Sequence, residues 1–184
     1  MIFTLDSNKQ WLNKVRQLAS PNCDERPDGS VVDAVIIHGI SLPPNQYGGP
    51  YIDRLFTNTL DPEEHPYFAE IQHLRVSSHL LVNREGEVTQ YVPFDSRAWH
   101  AGESALLGRE NCNDFAIGIE LEGCDNKDYE PPQYEIAASL VKLLMQNFDG
   151  IVKDRVVGHC DVSPGRKTDP GEAFKWQHFY ALLD

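Results

Sequence analysis

The sequence predicts an α/β fold in which helices pack on a mixed central β-sheet. Short apolar runs rich in β-branched residues alternate along the chain with segments whose apolar residues recur at helical spacing. A chain of 184 residues can form one domain that buries about 70% of its unfolded surface. We therefore expect a single domain over residues 1–184, and we assign no strand order.

Two predicted strands end at a histidine. Residues 31–37 form a buried apolar run that ends at His38, and residues 155–159 form a second run that ends at His159. Residues 41–50 follow the first strand and contain three prolines and two glycines. A loop of this composition beside a strand end is typical of the wall of a binding site.

A hairpin and an alternating strand lie between these two histidine strands. Residues 78–82 and 87–92 bracket a turn and predict a β-hairpin. Residues 115–121 alternate, so that one face is apolar and the other carries small residues together with Glu120 and Glu122. Small neighbours leave room for a ligand, whereas a solvent-facing strand edge would explain the charges equally well.

The helices are predicted from apolar residues at helical spacing. The chain contains five such segments: residues 8–18, with Ser7 as a cap, residues 51–56, residues 67–73, residues 131–148, and a terminal helix that carries Phe174, Trp176, Phe179 and Leu182.

Charge and composition exclude several classes of function. A formal net charge of −12 argues against nucleic acid and anionic membranes as partners, because both require clustered Lys and Arg. No signal peptide and no membrane-spanning stretch are recognised, so we expect a cytoplasmic monomer with its four cysteines reduced. Cations available for an anionic substrate are Arg75, Arg109, Arg166 and Lys167.

His38, His159 and Asp169 are the candidate metal ligands. Both histidines sit where a strand gives way to a loop, and the segment GHCDVSPGRKTDPG is long enough to return Asp169 to the same centre. Two imidazoles and one carboxylate with an open fourth position are typical of catalytic zinc, which favours hydrolytic chemistry. Taken singly, a histidine at a strand end is more often a hydrogen-bonded structural residue.

Several further side chains could join such a site. Lys167 lies two residues before Asp169 and could stabilise an oxyanion, although alone it would be an ordinary solvated lysine. His79 and His100 could line the pocket or bond to the backbone. Cys160 is rejected as a nucleophile, because adjacent residues of a strand point to opposite faces and His159 could not activate it.

Four motifs in order resemble a known family. The motifs are VIIHGISLPPNQYGGPYID, HPYFAEIQHLRVSSHLLVNREGEVTQYVPFDSRAWHAG, GRENCNDFAIGIELEG and GHCDVSPGRKTDPG, and the resemblance covers nearly the whole chain. They resemble zinc amidases of the N-acetylmuramoyl-L-alanine amidase family, specifically the AmpD-type enzymes that act on 1,6-anhydro-muropeptides. This resemblance implies a cytosolic role in peptidoglycan recycling.

The resemblance also implies roles for individual residues. It implies Zn²⁺ bound by His38, His159 and Asp169, with Glu120 as the catalytic carboxylate and Lys167 as the transition-state cation. Tyr47, Arg75 and Arg109 are expected to contact a muropeptide or other peptidoglycan fragment. Two positions depart from the family pattern: Gly39 stands where Asn is usual, and Asn111 stands where Arg is expected.

Two rival functions use the same residues differently. A non-catalytic module could bind muropeptides and report them, but such modules usually lose a ligand, and here all three are present. A zinc peptidase could cut inside the peptide stem with similar metal chemistry. The resemblance favours hydrolysis of the amide between the lactyl group of the muramic acid and L-alanine.

Overall fold

A computed structural model describes residues 2–184, and its centre is a six-stranded mixed sheet. The strand order is β1-β5-β4-β9-β3-β10, and only the β4–β5 pair is antiparallel. Two small two-stranded sheets, β2 with β6 and β7 with β8, lie beside it. The elements are β1 (Arg16–Gln17), β2 (Cys23–Glu25), β3 (Ala34–Ile40), α1 (Tyr51–Phe56), α2 (Pro66–Ile71), β4 (Leu80–Val82), β5 (Val88–Gln90), β6 (Ser96–Ala98), β7 (Ala105–Leu106), β8 (Arg109–Glu110), β9 (Ala116–Glu122), α3 (Pro131–Asn147), β10 (Val156–Gly158), α4 (His159–Val162) and α5 (Trp176–Leu183).

The two long helices cover one face of this sheet. Side chains at alternate positions of β3 and β9, such as Val35, Ile37 and Ile119, join the main core together with apolar residues of α3 and α5. Successive side chains of a strand point to opposite faces, so the intervening residues face away from these helices. The predicted fold class is therefore confirmed: helices pack on a mixed sheet.

Loops and short elements cover the opposite face. Strands β3 and β9 are parallel neighbours over seven residue pairs, and His38 lies opposite Glu120 in that register. Every residue of β9 is buried. The polar side chains of this face are consequently enclosed by the loops, in contrast to a solvent-facing strand edge.

Most predicted elements are present, with shifted ends. The hairpin of β4 and β5 is confirmed, as are α1 and α3. Strand β3 continues two residues beyond His38. The sequence predicts that His159 ends a strand. In the structure it lies just after β10 and begins the short helix α4, so this prediction is wrong by one residue.

The predicted helix over residues 8–18 is wrong. Leu5 and Leu12 instead form an antiparallel bridge, and β1 pairs with β5 at the edge of the sheet. The buried amide of Gln90 accepts a hydrogen bond from Leu12 N at 2.7 Å and donates one to Gln10 O at 2.9 Å. These long-range bonds replace helical ones, and the apolar spacing is satisfied by the insertion of Leu12 into the core.

Among residues 2–184, no helix has the length and apolar character needed to cross a bilayer. The expectation of one domain over residues 1–184 remains a prediction.

Substitution of Lys14 tests whether the N-terminal segment is helical, as the sequence predicts, or irregular, as in the structure. Its φ is +60°, which costs a non-glycine residue roughly 1–2 kcal/mol. We expect Lys14→Gly to raise the free energy of unfolding by about 0.5–1 kcal/mol in urea denaturation, because glycine adopts this φ readily. Glycine inside a helix costs about 1 kcal/mol, so Lys142→Gly in α3 is the matched control. An equal loss of stability in both variants would contradict this conformation of Lys14.

Candidate active site

Three polar side chains from separate elements converge on the loop-covered face of the sheet. His38 comes from β3, His159 from the first residue of α4, and Asp169 from the loop after α4. Both histidines are buried, and the Asp169 side chain is 17% exposed. The structure therefore brings together the three residues that the sequence nominates as metal ligands.

Backbone hydrogen bonds return Asp169 to the histidines. Cys160 N donates to Asp169 O at 2.9 Å, which closes the loop between the second and third candidate ligands. The guanidinium of Arg166, in the same loop, bonds the backbone oxygens of Ala101 and Glu103 and the Ser163 hydroxyl. These bonds fix the loop in front of the neighbouring segment.

The three ligand atoms form a small triangle. His38 Nδ1 and His159 Nδ1 are 3.0 Å apart, and Asp169 Oδ2 lies 3.4 Å from the first and 3.0 Å from the second. Tetrahedral zinc with bonds of about 2.0–2.2 Å separates its ligand atoms by roughly 3.3 Å. The residues therefore fit a single zinc ion, with a fourth position left for water or substrate.

Hydrogen bonds at the far side of each ring orient the two imidazoles. His159 Nε2 is 3.1 Å from the carbonyl oxygen of Ala101 and must carry the proton, which leaves Nδ1 as a free lone pair. His38 Nε2 is 3.0 Å from His100 Nδ1. When Nδ1 of His38 binds a metal, its Nε2–H donates to His100, so His100 supports the ligand ring.

The position of His100 depends on a glycine in β9. A Cβ added to Gly118 would lie 2.6 Å from Cγ of His100, so only glycine leaves room for this ring. His79 is also held in place, because Gly118 N donates to His79 Nδ1 at 3.0 Å and the Ser96 carbonyl lies 3.1 Å from His79 Nε2. Of the two additional histidines, His100 lines the site, and His79 binds the backbone of β9 behind it.

Glu120 stands beside the triangle. Its Oε1 is 4.0 Å from His38 Nδ1, and its buried Oε2 has no hydrogen-bond partner among residues 2–184. Burial raises the pKa of Glu120 well above its usual value, and the nearby charge of Asp169 adds to this, while Lys167 opposes it. Alternation alone leaves Glu120 and Glu122 equivalent, whereas the structure places Glu120 next to the ligands.

The protonation states of two candidate ligands suit metal binding. Burial lowers the pKa of His38 to about 4, so its imidazole is neutral at pH 7. Burial acts to raise the pKa of Asp169, but the two adjacent imidazoles of His159 and His38 outweigh it and hold the pKa well below its usual range. A neutral imidazole and an ionised carboxylate are the forms that coordinate zinc.

A cavity of about 610 Å³ opens in front of these groups. Its walls include all three candidate ligands, Glu120, and Lys167, whose side chain is exposed. Residues of the 41–50 loop form one wall, and residues around α2 and Trp99 form another. A cation, a buried carboxylate and the three candidate metal ligands thus surround one cavity, an arrangement that suits hydrolysis of an amide or ester.

Comparison with known proteins agrees with this chemistry. The sequence model of the family described as N-acetylmuramoyl-L-alanine amidase matches residues 28–172. The chain belongs to the N-acetylmuramoyl-L-alanine amidase family. It is therefore an amidase, and the predicted resemblance is confirmed.

Individual relatives in this amidase family are also close. The 1,6-anhydro-N-acetylmuramyl-L-alanine amidase AmpD of Escherichia coli (strain K12) is 54% identical over 173 residues, which cover 94% of each chain. A crystal structure of a selenomethionine AmpD derivative superposes with a TM-score of 0.94 at 51% identity, covering 98% of this chain and 99% of that one. AmiD of E. coli, complexed with anhydro-N-acetylmuramic acid-L-Ala-D-gamma-Glu-L-Lys, has a TM-score of 0.60 at 26% identity, covering 97% of this chain and 65% of that one.

The three expected substrate contacts lie at different distances from the amidase cavity. The Tyr47 hydroxyl is 3.1 Å from Sγ of Cys124, a residue that lines the cavity. Arg75 is exposed between two lining residues, Leu74 and Val76, and bonds backbone carbonyls.

Arg109 is not brought to the amidase cavity, contrary to expectation. Its guanidinium bonds Asp33, directly before β3 and five residues from His38, and lies 3.8 Å from the centre of the Phe115 ring. This ion pair and ring contact hold Arg109 at the opposite end of β3, so the geometry does not favour a substrate contact.

The two departures from the family pattern have different surroundings. A Cβ at Gly39 would lie 2.3 Å from the hydroxyl of Tyr129, so Tyr129 occupies the space beside this position. The same hydroxyl donates to Pro170 O at 2.9 Å, next to Asp169. Asn111 lies outside the cavity wall and has a φ of +57°, a conformation that Asn tolerates better than most residues.

Sequence reasoning missed the role of two side chains near the amidase site. His100 was only a general candidate, yet it contacts the ligand His38. Glu122 was only an alternative to Glu120, yet it bonds the 41–50 loop through Gly48 N. The signal for His100 was the glycine at position 118, since a small residue facing a histidine leaves the room that the ring needs.

Substitution Gly118→Ala should destabilise the amidase through His100. The new methyl group overlaps the ring, and overpacking of this kind costs typically about 1–3 kcal/mol in the free energy of unfolding. In a His100→Ala background the overlap with the ring is removed and only the Ser78 hydroxyl, 2.8 Å from the added Cβ, remains, so the same substitution should cost less in urea denaturation. An equal cost in both backgrounds would contradict the proposed packing of His100 on Gly118.

Proposed function

We propose that this amidase uses zinc to hydrolyse the amide between the lactyl group of 1,6-anhydro-N-acetylmuramic acid and the L-alanine of the stem peptide. The observation that carries the proposal is the ligand triangle beside Glu120, in a chain 54% identical to an AmpD of that named activity. We further propose that the enzyme acts on fragments released during peptidoglycan recycling, in the cytoplasm and as a monomer.

Two features of the site support zinc as the metal. Nitrogen ligands together with one carboxylate and an open position are the donor set of catalytic zinc, while magnesium and calcium prefer oxygen alone. The outward hydrogen bonds of His38 and His159 leave both Nδ1 lone pairs directed at one point. When bound there, zinc supplies a Lewis acid and a water molecule whose pKa falls toward about 7.

Glu120 is the proposed general base and acid. Glu120 lines the cavity and its Oε1 lies 4.0 Å from His38 Nδ1, where the carboxylate can take a proton from the attacking water. As the carbon–nitrogen bond breaks, the same carboxyl group returns the proton to the leaving alanine amine. The lactyl carboxylate and the free peptide are the products.

Lys167 is the proposed partner of the developing negative charge. Its exposed ammonium belongs to the cavity wall, and its charge acts on both Glu120 and His38. When water attacks the lactyl carbonyl, the carbonyl oxygen becomes an oxyanion, and a cation at this position stabilises it.

The 41–50 loop with Tyr47, and Arg75 at the rim, are the proposed contacts with the sugar and peptide. Since the whole chain is strongly acidic, the peptide carboxylates must be met by such local cations.

The reaction is tested by product analysis. Purified enzyme is incubated with anhydromuramyl tripeptide, with and without a chelator, and the products are read by mass spectrometry. We expect free tripeptide and anhydromuramic acid, with turnover abolished by chelation and restored by zinc. Muramyl tripeptide without the 1,6-anhydro bond, run in parallel, should be cut more slowly.

Two other results of this assay would overturn the proposal. Alanine retained on the sugar would indicate a peptidase that cuts inside the stem. Substrate that binds but stays intact under every condition would indicate a sensing module.

Lys167→Ala tests the oxyanion role. Loss of one such donor typically lowers kcat by about 100-fold to 1000-fold, while zinc content should stay at the wild-type value. Lys175→Ala is the matched control, because Lys175 is exposed and pairs with Asp128 outside the cavity. A kcat for Lys167→Ala as high as that of the control would exclude the assignment.

A further inference from the structure

Glu122 is a buried carboxylate that the proposed chemistry does not use. It follows Glu120 by two residues on the same face of β9 and is 4% exposed. Among residues 2–184, no lysine, arginine or histidine forms an ion pair with it. Burying a carboxylate without a cation is costly unless hydrogen bonds satisfy its oxygens.

Two backbone N–H groups satisfy this carboxylate. Gly48 N, in the 41–50 loop, donates to Oε1 at 2.5 Å, and Arg84 N, in the β4–β5 turn, donates to Oε2 at 3.3 Å. The Glu122 carbonyl also accepts from the buried amide of Gln133 at 3.0 Å, which ties this end of β9 to α3. The Glu122 side chain thus connects the loop to β9 and to the β4–β5 turn, and its backbone carbonyl connects β9 to α3.

Besides the bond to Glu122, the loop near Gly48 is restrained through Tyr47, whose hydroxyl lies 3.1 Å from Cys124 Sγ. Gly48 and Gly49 have φ of +76° and +79°, so the chain turns here in a conformation open to glycine. Behind the turn lies a second cavity of about 760 Å³, lined by both glycines and by Glu122. Side chains do not fill this space, so on this side the loop is held by the hydrogen bond from Gly48 N to Glu122.

The first half of the same loop faces the active site. Ser41, Leu42, Pro44 and Asn45 line the metal-side cavity, while Gly48 is held by Glu122. The Tyr47 ring lies between two cations, with Arg84 at 4.5 Å and Lys127 at 4.6 Å from its centre. The loop therefore borders both cavities, and the position of its first half sets the width of the substrate cavity.

We propose that Glu122 is a positioning residue that anchors the 41–50 loop as the wall of the substrate cavity, and so determines substrate affinity but not the chemical step. This proposal rests on the proposed function, because it assumes that the substrate occupies the metal-side cavity. Glu120 and Glu122 then have different roles on one face of β9. Glu120 acts on the scissile amide, and Glu122 holds the loop against which the substrate binds.

Glu122→Gln is the direct test. The variant keeps the shape of the side chain, but its NH₂ group faces one of the two N–H donors and cannot accept from it. Loss of a hydrogen bond to a charged group corresponds to an increase in KM of about tenfold to hundredfold, with kcat near the wild-type value. Glu122→Asp keeps the charge but shortens the side chain, so we expect the same increase in KM. This second variant keeps the test valid if Glu122→Gln fails to fold.

A local readout is independent of turnover. Chymotrypsin cleavage after Tyr47, mapped by mass spectrometry, reports how often the loop leaves its native position. We expect faster cleavage in both Glu122 variants than in the wild-type enzyme. Glu135→Gln is the matched control, because Glu135 is exposed and lines the same second cavity without bonding the loop.

Three outcomes separate the claims. Unchanged KM and unchanged cleavage relative to Glu135→Gln would overturn the anchoring role. A lower kcat at unchanged KM would also overturn it, because Glu122 would then act in the chemical step. If the wild-type enzyme does not cut the muropeptide, the proposed function fails, while the cleavage rates still decide whether Glu122 holds the loop.

Discussion

The parallel pairing of β3 with β9 is the constraint on which the rest of the site depends. Seven residue pairs fix the register and place His38 opposite Glu120 on the face away from α3 and α5. A shift of one residue would turn every side chain of the strand to the other face, so the apolar residues of the opposite face lock the polar ones in place. The hydrophobic core thereby determines the geometry of the chemistry.

The polar face is stable only as a connected set. Ligand atoms from two imidazoles and one ionised carboxylate meet within 3.4 Å, and the far nitrogen of each ring contacts His100 or the Ala101 carbonyl. Arg166 bonds the same carbonyl and joins the Asp169 loop to it. A metal cation would balance the electron-rich centre of this set, which explains why such groups can be buried together.

The fold class and the convergence of His38, His159 and Asp169 could be predicted from the sequence because apolar periodicity and the order of the motifs carry a strong signal. The N-terminal segment could not, because the bonds of Gln90 to residues 80 and 78 positions away override its helical spacing. The separate roles of Glu120 and Glu122 were also hidden, since alternation places both on one face. Only the three-dimensional neighbours distinguish them: ligands beside Glu120, and the N–H of Gly48 beside Glu122. The ion pair of Arg109 with Asp33 could not be predicted either, because the two residues are 76 positions apart.

The central claim is that His38, His159 and Asp169 together hold one zinc ion. The most direct measurement is a crystal structure of the zinc-loaded enzyme with anomalous data collected on both sides of the zinc edge. We expect one anomalous peak at about 2.0–2.2 Å from His38 Nδ1, His159 Nδ1 and an Asp169 oxygen, with a fourth position open toward the cavity. A peak coordinated by other residues, or a fourth protein ligand that closes the site, would contradict it.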